Sequence, residues 1–463
     1  MRPDWNGQKV LIVGAARQGL ALARFLSGRG AQVTLNDQRT PETLRSAVEA
    51  LAGLPVRWAL GGHPLELLDD VDLICVSGGV PLELPLLVEA QRRGLPLTND
   101  SQIFMQSVAA PVTGITGSAG KTTTTTLVGR MAQAHAAKAG RTAWVGGNIG
   151  LPLVEYLDQI QPDDPVIVEF SSFQLELMTV SPHVAAVLNI TPNHLDRHGT
   201  LEAYAAAKAR ILAFQSGADC AILSREDPGS WALAGQVRGR LITFGRERPP
   251  AGLPGTYVQD DTLIYSDGRQ DQALFPRSAV RLRGGHNLLN VLAACAIGLA
   301  AGFDPDSLRS GVEGFAGVAH RLEWVREWKG AAWYNDSIAT APERTLAAIQ
   351  SFDEPLIVLL GGRDKNLPWE KLAEALHRRV DHVVVFGEAV PKILAAIGPA
   401  PRPGARLQSV HACPGLYDAV QVAAGLARPG DVVLLSPGGT SFDEFKDFEE
   451  RGERFRAWVK ELT

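Results

Sequence analysis

The segment Gly117-Ser118-Ala119-Gly120-Lys121-Thr122 follows an apolar run, Val112 to Ile115, and leads into a threonine-rich stretch, Thr122 to Thr126. A glycine-rich turn between a strand and a helix lets backbone N–H groups and the helix dipole cradle phosphate. Lys121 would then reach the β- and γ-phosphates as a point charge, and the Thr122 hydroxyl can ligate Mg²⁺. The strict pattern G-x-x-x-x-G-K-[ST] asks for glycine where Ile115 stands, so this is a close variant of it. A plain turn is the competing reading, and the flanking strand and helix favour a nucleoside triphosphate site.

Glu169 closes another apolar run, Pro165 to Phe170, and an acid at a strand end beside such a turn can hold Mg²⁺. The run Asn189-Ile-Thr-Pro-Asn193-His194-Leu-Asp196-Arg197-His198 is densely polar. His194 can serve there as ligand or base, against the alternative of a capped loop with surface histidines. Lys208 falls in an alanine-rich helical stretch, where spacing alone places it on a solvated face. Earlier in the chain Gly14-Ala-Ala16-Arg-Gln-Gly19 approximates the dinucleotide fingerprint with alanine in the middle glycine position, and Asp37 stands where the ribose-binding acid would be. The departure at Ala16 leaves NAD, another nucleotide-like ligand or no ligand open. Four further clusters stand at expected strand ends: His320-Arg321-Leu-Glu323, Asn335-Asp336-Ser337, Gly361-Gly-Arg-Asp-Lys365 and Ser436-Pro-Gly-Gly-Thr-Ser441. Open parallel sheets bind ligands at such ends, so the last third of the chain is expected to form one wall of a shared site.

The elements that must carry these residues alternate between strand-like and helix-like patterns. Val10 to Val13, Gln32 to Leu35, Asp72 to Ser77 and Leu95 to Asn99 read as strands of a small parallel sheet, with a helix over Leu20 to Leu26. A second domain starts at Val112, with strands at Pro165 to Phe170, Val184 to Asn189 and Cys220 to Leu223. Gly245 to Arg283 reads as β-hairpins turning at Asp267-Gly268, and a long helix opens at Gly284-Gly285-His286-Asn287. Gly311 to Val318 reads as a linker, after which strands are expected at Ala331 to Asn335, Leu356 to Leu360, His382 to Phe386 and Asp431 to Ser436. The fold class is therefore α/β in three domains: Rossmann-like, P-loop ATPase-like and Rossmann-like, over 1–107, 108–317 and 318–463.

Composition fits this. The 463 residues are 45% hydrophobic and 21% charged, which suits a folded chain with several cores. Forty-five basic against 50 acidic residues, net −5, leave no cationic excess for nucleic-acid phosphates or an anionic membrane. The four cysteines, Cys75, Cys220, Cys295 and Cys413, lie far apart, which argues against a zinc ribbon or redox pair and for buried thiols. Val10 to Val13 is too short for a signal-peptide core, and Asn287 to Phe303 is too short and too polar to span a bilayer. A cytoplasmic location is expected.

Taken together, Thr116-Gly-Ser-Ala-Gly-Lys-Thr122, Gly147-Asn148-Ile-Gly150, Glu169-Phe-Ser-Ser-Phe-Gln174, Asn193-His-Leu-Asp-Arg197, Lys208, Gly285-His-Asn287, His320-Arg321 and Asn335-Asp-Ser337 resemble the motifs of the Mur ligase family, and they run the whole length of the chain. These are the ATP-dependent amide ligases that build the peptide of bacterial cell walls. Phe173-Gln-Leu-Glu176 and Ser441-Phe-Asp-Glu-Phe-Lys-Asp-Phe448 look most like the members that add D-glutamate to UDP-N-acetylmuramoyl-L-alanine.

The resemblance implies ATP and Mg²⁺ as cofactors, UDP-N-acetylmuramoyl-L-alanine and glutamate as substrates, and a monomer with no nucleic-acid or membrane partner. It implies a UDP-binding first domain with Gly14, Asp37, Gly78, Gly79 and Asn148 at the substrate. ATP would be held by Gly117, Ser118, Ala119, Gly120, Lys121, Thr122, Thr123, Asn287, Arg321 and Asp336. Lys208 would be carbamylated and, with Thr122, Glu169 and His194, would place Mg²⁺; Lys121, Glu169, His194 and Lys208 are the catalytic set. Thr340, Lys365, Ser441 and Phe448 would surround the glutamate. Three residues depart from the family pattern. Ala119 replaces a polar residue and Gly78 a proline, both in loops that act through backbone. Ile338 stands where such ligases carry lysine, so Lys365 or an arginine such as Arg344 compensates, or the acceptor is L-glutamate or another amino acid. A glutamate–folate ligase is a remoter option on the same scaffold. An oxidoreductase using the first domain is opposed by Ala16 and the P-loop, and a non-catalytic nucleotide-binding module by Lys121, Glu169, His194 and Lys208 together.

Overall fold

The computed structural model describes residues 4–282 and 284–463, except the side chains of Leu195 and Asp196. Arg283, the expected end of the hairpin region, and Met1 therefore lie outside the described residues, as does the Asp196 side chain of the polar cluster.

The first sheet contains β1 (Lys9–Val13), β2 (Gln32–Asp37), β3 (Val56–Leu60), β4 (Leu73–Val76) and β5 (Leu97–Thr98), parallel and in the order β3-β2-β1-β4-β5. The order reverses beside β1, so the Gly14 turn at its carboxyl end opens at the switch point, where such sheets bind ligands. Gly14 has φ +106°, and a Cβ on Gly19 would collide with the Gly14 carbonyl. Those two glycines let the turn close tightly against the helix Arg17–Ser27.

The central sheet has nine strands: β6 (Val112–Thr116), β7 (Trp144–Gly147), β8 (Val166–Glu169), β9 (Val184–Val187), β10 (Cys220–Ser224), β11 (Arg240–Phe244), β12 (Gly255–Gln259), β13 (Thr262–Ser266) and β14 (Asp271–Pro276). Its order is β14-β13-β12-β11-β10-β9-β6-β8-β7, with β6 to β12 parallel and β12-β13-β14 an antiparallel meander, as the Asp267-Gly268 turn leads one to expect. β6, β8 and β9 are buried along their whole length, and so read as unbroken apolar runs rather than alternating ones. The helices Lys121–Lys138 and Gly285–Ala300 cover the sheet. One apolar cluster runs from Trp5, Phe25 and Leu26 through Leu153, Val154 and Ile160 to Tyr204 and Leu223, joining the first two sheets in one unit over 1–281 and 285–315.

The expected linker, Gly311 to Val318, contains the boundary between the two units, at Phe315/Ala316, but its first two residues belong to a helix. Gly311 lies in the helix Pro305–Val312, where a Cβ would come within 2.4 Å of the Met131 side chain. Glycine there serves close helix packing, and in sequence a packing glycine looks the same as a linker glycine.

The other unit, 282–284 and 316–463, is a six-stranded sheet in the order β15-β16-β20-β17-β18-β19. Its strands are β15 (Glu323–Trp328), β16 (Ala331–Asn335), β17 (Leu356–Gly361), β18 (His382–Phe386), β19 (Ser409–Cys413) and β20 (Val432–Gly438). Only β15 is antiparallel to its neighbour, and apolar layers cover both faces. β17 and β20 are buried throughout, so their carboxyl-end loops are carried on a rigid centre.

Candidate active site

In the first unit β6 delivers the glycine-rich turn at its carboxyl end. Gly120 caps the helix Lys121–Lys138 in the left-handed region, φ +80°, and a Cβ there would lie 2.3 Å from Asn290 Oδ1. Asn189, just beyond β9, clamps the turn: its carbonyl accepts from Ser118 N at 3.0 Å, its Oδ1 from Ala119 N at 2.8 Å, and its Nδ2 donates to Ala119 O at 3.0 Å. Ser118 Oγ donates to Thr191 O at 3.0 Å. The turn is thus held from below, with the Ala119 amide engaged by Asn189. Thr123 is buried and Thr122 half-buried in the first helical turn. Asn287 Oδ1 accepts from Asn290 Nδ2 at 3.1 Å, which sets this pair against Gly120.

Two lysines converge on one oxygen. Lys121 Nζ and Lys208 Nζ each donate to the Gly117 carbonyl at 2.9 Å. Lys208 is 1% exposed, in the helix Leu201–Ala213, with its ammonium 4.6 Å from the Tyr204 ring centre. Burial first, and then the Lys121 charge, pull its pKa down to about 7 against the opposing pull of Glu169. The solvated face suggested by spacing is therefore wrong.

Glu169 ends β8 with its side chain 1% exposed. Its Oε1 accepts from Asn148 Nδ2 at 2.9 Å, and among the described residues its Oε2 has no hydrogen-bond partner. A buried carboxylate oxygen left open, on a side chain whose charge acts on Lys208, is a fitting ligand for a cation. Among the described residues no three His, Cys, Asp or Glu side chains form a metal cage, so further oxygen donors must come from other groups.

His194 is an exposed loop residue with φ +53°, its ring edge-on to Phe173 at 5.3 Å. His198 is more firmly fixed: its Nε2 is 2.9 Å from Ser172 Oγ, its Nδ1 3.0 Å from Glu176, and its ring stacks on Phe173. Arg197 lies over Phe173 and donates to the carbonyls of Gly79 at 3.4 Å and Val80 at 3.2 Å, tying the central loop to the glycines beyond β4. Neither His198 nor Arg197 stands out in sequence beyond the polar density around them. Asp37 stands at the carboxyl end of β2 beside the Gly14 turn. Its buried carboxylate accepts from Ala15 N at 2.8 Å and from Arg39 N and Nε at 2.9 Å, so it braces the first-sheet turn. Arg39 holds its carboxyl well below the usual carboxylate range.

In the second unit Asp336, beyond β16, accepts from Ser436 Oγ at 2.8 Å and Leu322 N at 3.2 Å; burial pushes its carboxyl up to about 7. Arg321 and Arg344 both act on it electrostatically, and Arg344 Nη1 donates to Ile338 O at 3.2 Å. Lys365 Nζ reaches Thr340 Oγ1 at 3.5 Å. Ser441 is buried, and the Phe448 carbonyl accepts from Ser337 Oγ at 2.8 Å. The fully buried Arg451 pins these loops by donating to Ser337 O at 2.8 Å and to Gly439 O at 3.1 Å. Lying in the first turn of the charged helix Phe448–Glu461, it carries no signal in sequence.

A glycine-rich turn between a parallel strand and a helix, a buried lysine and a buried carboxylate together mark an α/β enzyme scaffold. The description "Mur ligase middle domain" matches residues 115–298, "Mur ligase, glutamate ligase domain" 320–439, and "Mur ligase MurD-like, N-terminal domain" 8–99. The proteins named UDP-N-acetylmuramoylalanine--D-glutamate ligase in Symbiobacterium thermophilum and Pelotomaculum thermopropionicum are each 40% identical, covering 98% of this chain and 98% of the first, and 100% of this chain and 99% of the second. The structure of UDP-N-acetylmuramate-alanine ligase from Thermotoga maritima shares the fold, with TM-score 0.57 and 20% identity over 98% of this chain and 99% of that one. The MurF ligase of the same organism, solved with ADP, matches with TM-score 0.54 and 18% identity over 98% and 96%. The chain belongs to the Mur ligase family.

Proposed function

We propose that this chain uses ATP to join D-glutamate to UDP-N-acetylmuramoyl-L-alanine, the reaction for which its full-length relatives are named. The observation that carries the chemistry is the convergence of Lys121 and Lys208 on the Gly117 carbonyl, with the buried Glu169 acting electrostatically on Lys208.

A carboxylate is a poor acyl donor until an oxygen of it takes up the γ-phosphoryl group, with ADP as leaving group. Lys121 swings from Gly117 O to the γ-phosphate and offsets charge on the transferring oxygens. The amine of glutamate then attacks the acyl phosphate carbon, the amide forms and phosphate leaves. His194 or a nearby carboxylate takes the amine proton. Mg²⁺, when bound, neutralises phosphate charge; Thr122, Glu169, His194 and Lys208 would hold it. Lys208 suits this role as a carbamate. Its depressed pKa leaves a large neutral fraction near pH 7, and a neutral amine adds to CO₂ with loss of a proton. The product supplies the anionic oxygens that the surrounding side chains lack.

The domain roles follow. Residues 1–107 bind the UDP part through Gly14, Asp37, Gly78 and Gly79, joined by Asn148 of the central domain. Residues 108–317 bind ATP through the glycine-rich turn and Asn287. Residues 318–463 add Arg321 and Asp336 for the nucleotide, and Thr340, Lys365, Ser441 and Phe448 for the amino acid. Soluble nucleotide-linked substrates and ATP point to a cytoplasmic monomer. Ile338 favours a second reading, with L-glutamate as acceptor, because it contributes no cation; Arg344, anchored on the Ile338 carbonyl, supplies one for either isomer.

Phosphate release with ATP, Mg²⁺ and UDP-N-acetylmuramoyl-L-alanine is measured with D-glutamate, L-glutamate or no amino acid. Release that needs D-glutamate supports the main reading. Preference for L-glutamate establishes the second, and independence from both overturns the ligase assignment.

A further inference from the structure

The end of the central sheet opposite the glycine-rich turn holds a second concavity. A cavity of about 580 Å³ is lined by the first residue of five neighbouring parallel strands, Val112, Val166, Val184, Cys220 and Arg240. That is within the ~300–1,000 Å³ that encloses a drug-sized molecule. Pro111, Ala139, Pro162, Ala300 and Ala301 give it an apolar lining open to solvent.

The charges around it are unevenly committed. Asp163 pairs with Arg141 at 3.2 Å. Asp164 accepts from Trp144 Nε1 at 2.9 Å and Gln161 N at 3.0 Å, and Asp219 from Ser216 N at 2.6 Å and Ser216 Oγ at 2.8 Å. Each acid is thus engaged by local donors. Arg240 faces the buried Cys220 thiol and, within the described residues, no carboxylate pairs with it. His183 Nδ1 accepts from Val112 N at 3.4 Å, which leaves its Nε2 to carry the proton and donate. Arg240 on β11 pairs in register with Cys220, one strand spacing of ~4.8 Å away, whereas the His183 ring is turned the other way, toward the start of β6.

We propose that this cavity binds a small amphipathic organic anion, its head held by Arg240 and its apolar body against Pro111, Ala139 and Ala301. Such a ligand touches the far ends of the catalytic elements. β6 starts in the cavity and ends at the glycine-rich turn; β8 starts there and ends at Glu169. The helix Lys121–Lys138 begins at the turn and brings His135 and Ala136 to the cavity wall.

The probe is 1-anilinonaphthalene-8-sulfonate, which joins an anionic sulfonate to aromatic rings. Its binding is measured by fluorescence and calorimetry with ADP saturating, so that the nucleotide site is filled. Arg240→Glu reverses the counter-charge, Ala139→Trp fills the cavity from an exposed helix end, and Arg238→Glu makes the same charge change off the lining. ADP affinity, unchanged in all three, shows that each variant is folded. One saturable site in the wild type and Arg238→Glu, weakened at least tenfold by Arg240→Glu and abolished by Ala139→Trp, is the expected result. No saturable binding to the wild type, or binding that survives either cavity substitution, overturns the proposal.

Discussion

Replacing Lys208 with methionine tests the energetics of the site without overfilling it, because methionine nearly matches the length of the lysine stem and carries no charge. With its pKa at about 7 instead of the ordinary 10.5, Lys208 carries a cost when protonated in the fold. At ~1.36 kcal/mol per pH unit that cost is roughly 5 kcal/mol at most. Below pH 7 the folded protein holds a buried ammonium and bears the full cost. Between pH 7 and 10.5 the unfolded chain binds a proton that the folded one does not, so stability rises with pH across that window. Above it the cost is gone. The methionine variant would have no such dependence, while forgoing the hydrogen bond to Gly117 O, worth about 1 kcal/mol. Lys208→Met is therefore expected to melt higher than the wild type at about pH 6, and equal or lower at about pH 10. At roughly 2 °C per kcal/mol the difference between the two proteins changes by up to ~10 °C. The assay is calorimetry of both proteins in CO₂-free buffer across that pH range, with ligation lost in the variant throughout. A wild-type-minus-variant difference that stays flat across the range refutes the reasoning.

Asp336 has the opposite sign: with its carboxyl raised to about 7 from 3.8, its contribution to stability is present below about pH 4 and lost as pH rises to 7. Asp336→Asn should remove that slope, worth up to roughly 4 kcal/mol, from denaturant titrations at either end of that window. Asn148→Ala strips Glu169 Oε1 of its donor and should raise the Mg²⁺ concentration needed for half-maximal ligation by about 10- to 100-fold, with the fold unchanged by circular dichroism. Arg344→Ala should raise the KM for glutamate about tenfold or more and leave that for ATP within about twofold; equal changes in both would assign the side chain to the nucleotide instead.

Much of this is legible in the sequence because strands buried on both faces announce themselves as apolar runs, and β6, β8, β9, β17 and β20 are such strands. The glycine-rich turn is legible for a local reason, since a left-handed residue at a helix start needs glycine. What escapes is non-local. Lys208 looks solvated because its burial depends on Tyr204 and on a turn 91 positions away. The contacts of Asp37 with Arg39 and the Ala15 amide are likewise invisible in sequence. Arg451 reads as one more arginine on a charged helix until Ser337 and Gly439 are seen around it.

The apolar cluster that runs unbroken from the first sheet into the second sets the order of events on the ribosome. The leading sheet emerges first with one flank still exposed, because Leu153, Val154 and Ile160 come later, and the central sheet lacks its Gly285–Ala300 cover for longer still. At ~5–20 residues per second the nascent chain waits roughly 10–40 s between finishing the first sheet and releasing that helix. Through that interval it presents greasy surface to its surroundings, so its yield in the cell should depend on holding chaperones more than on the stability of the finished enzyme.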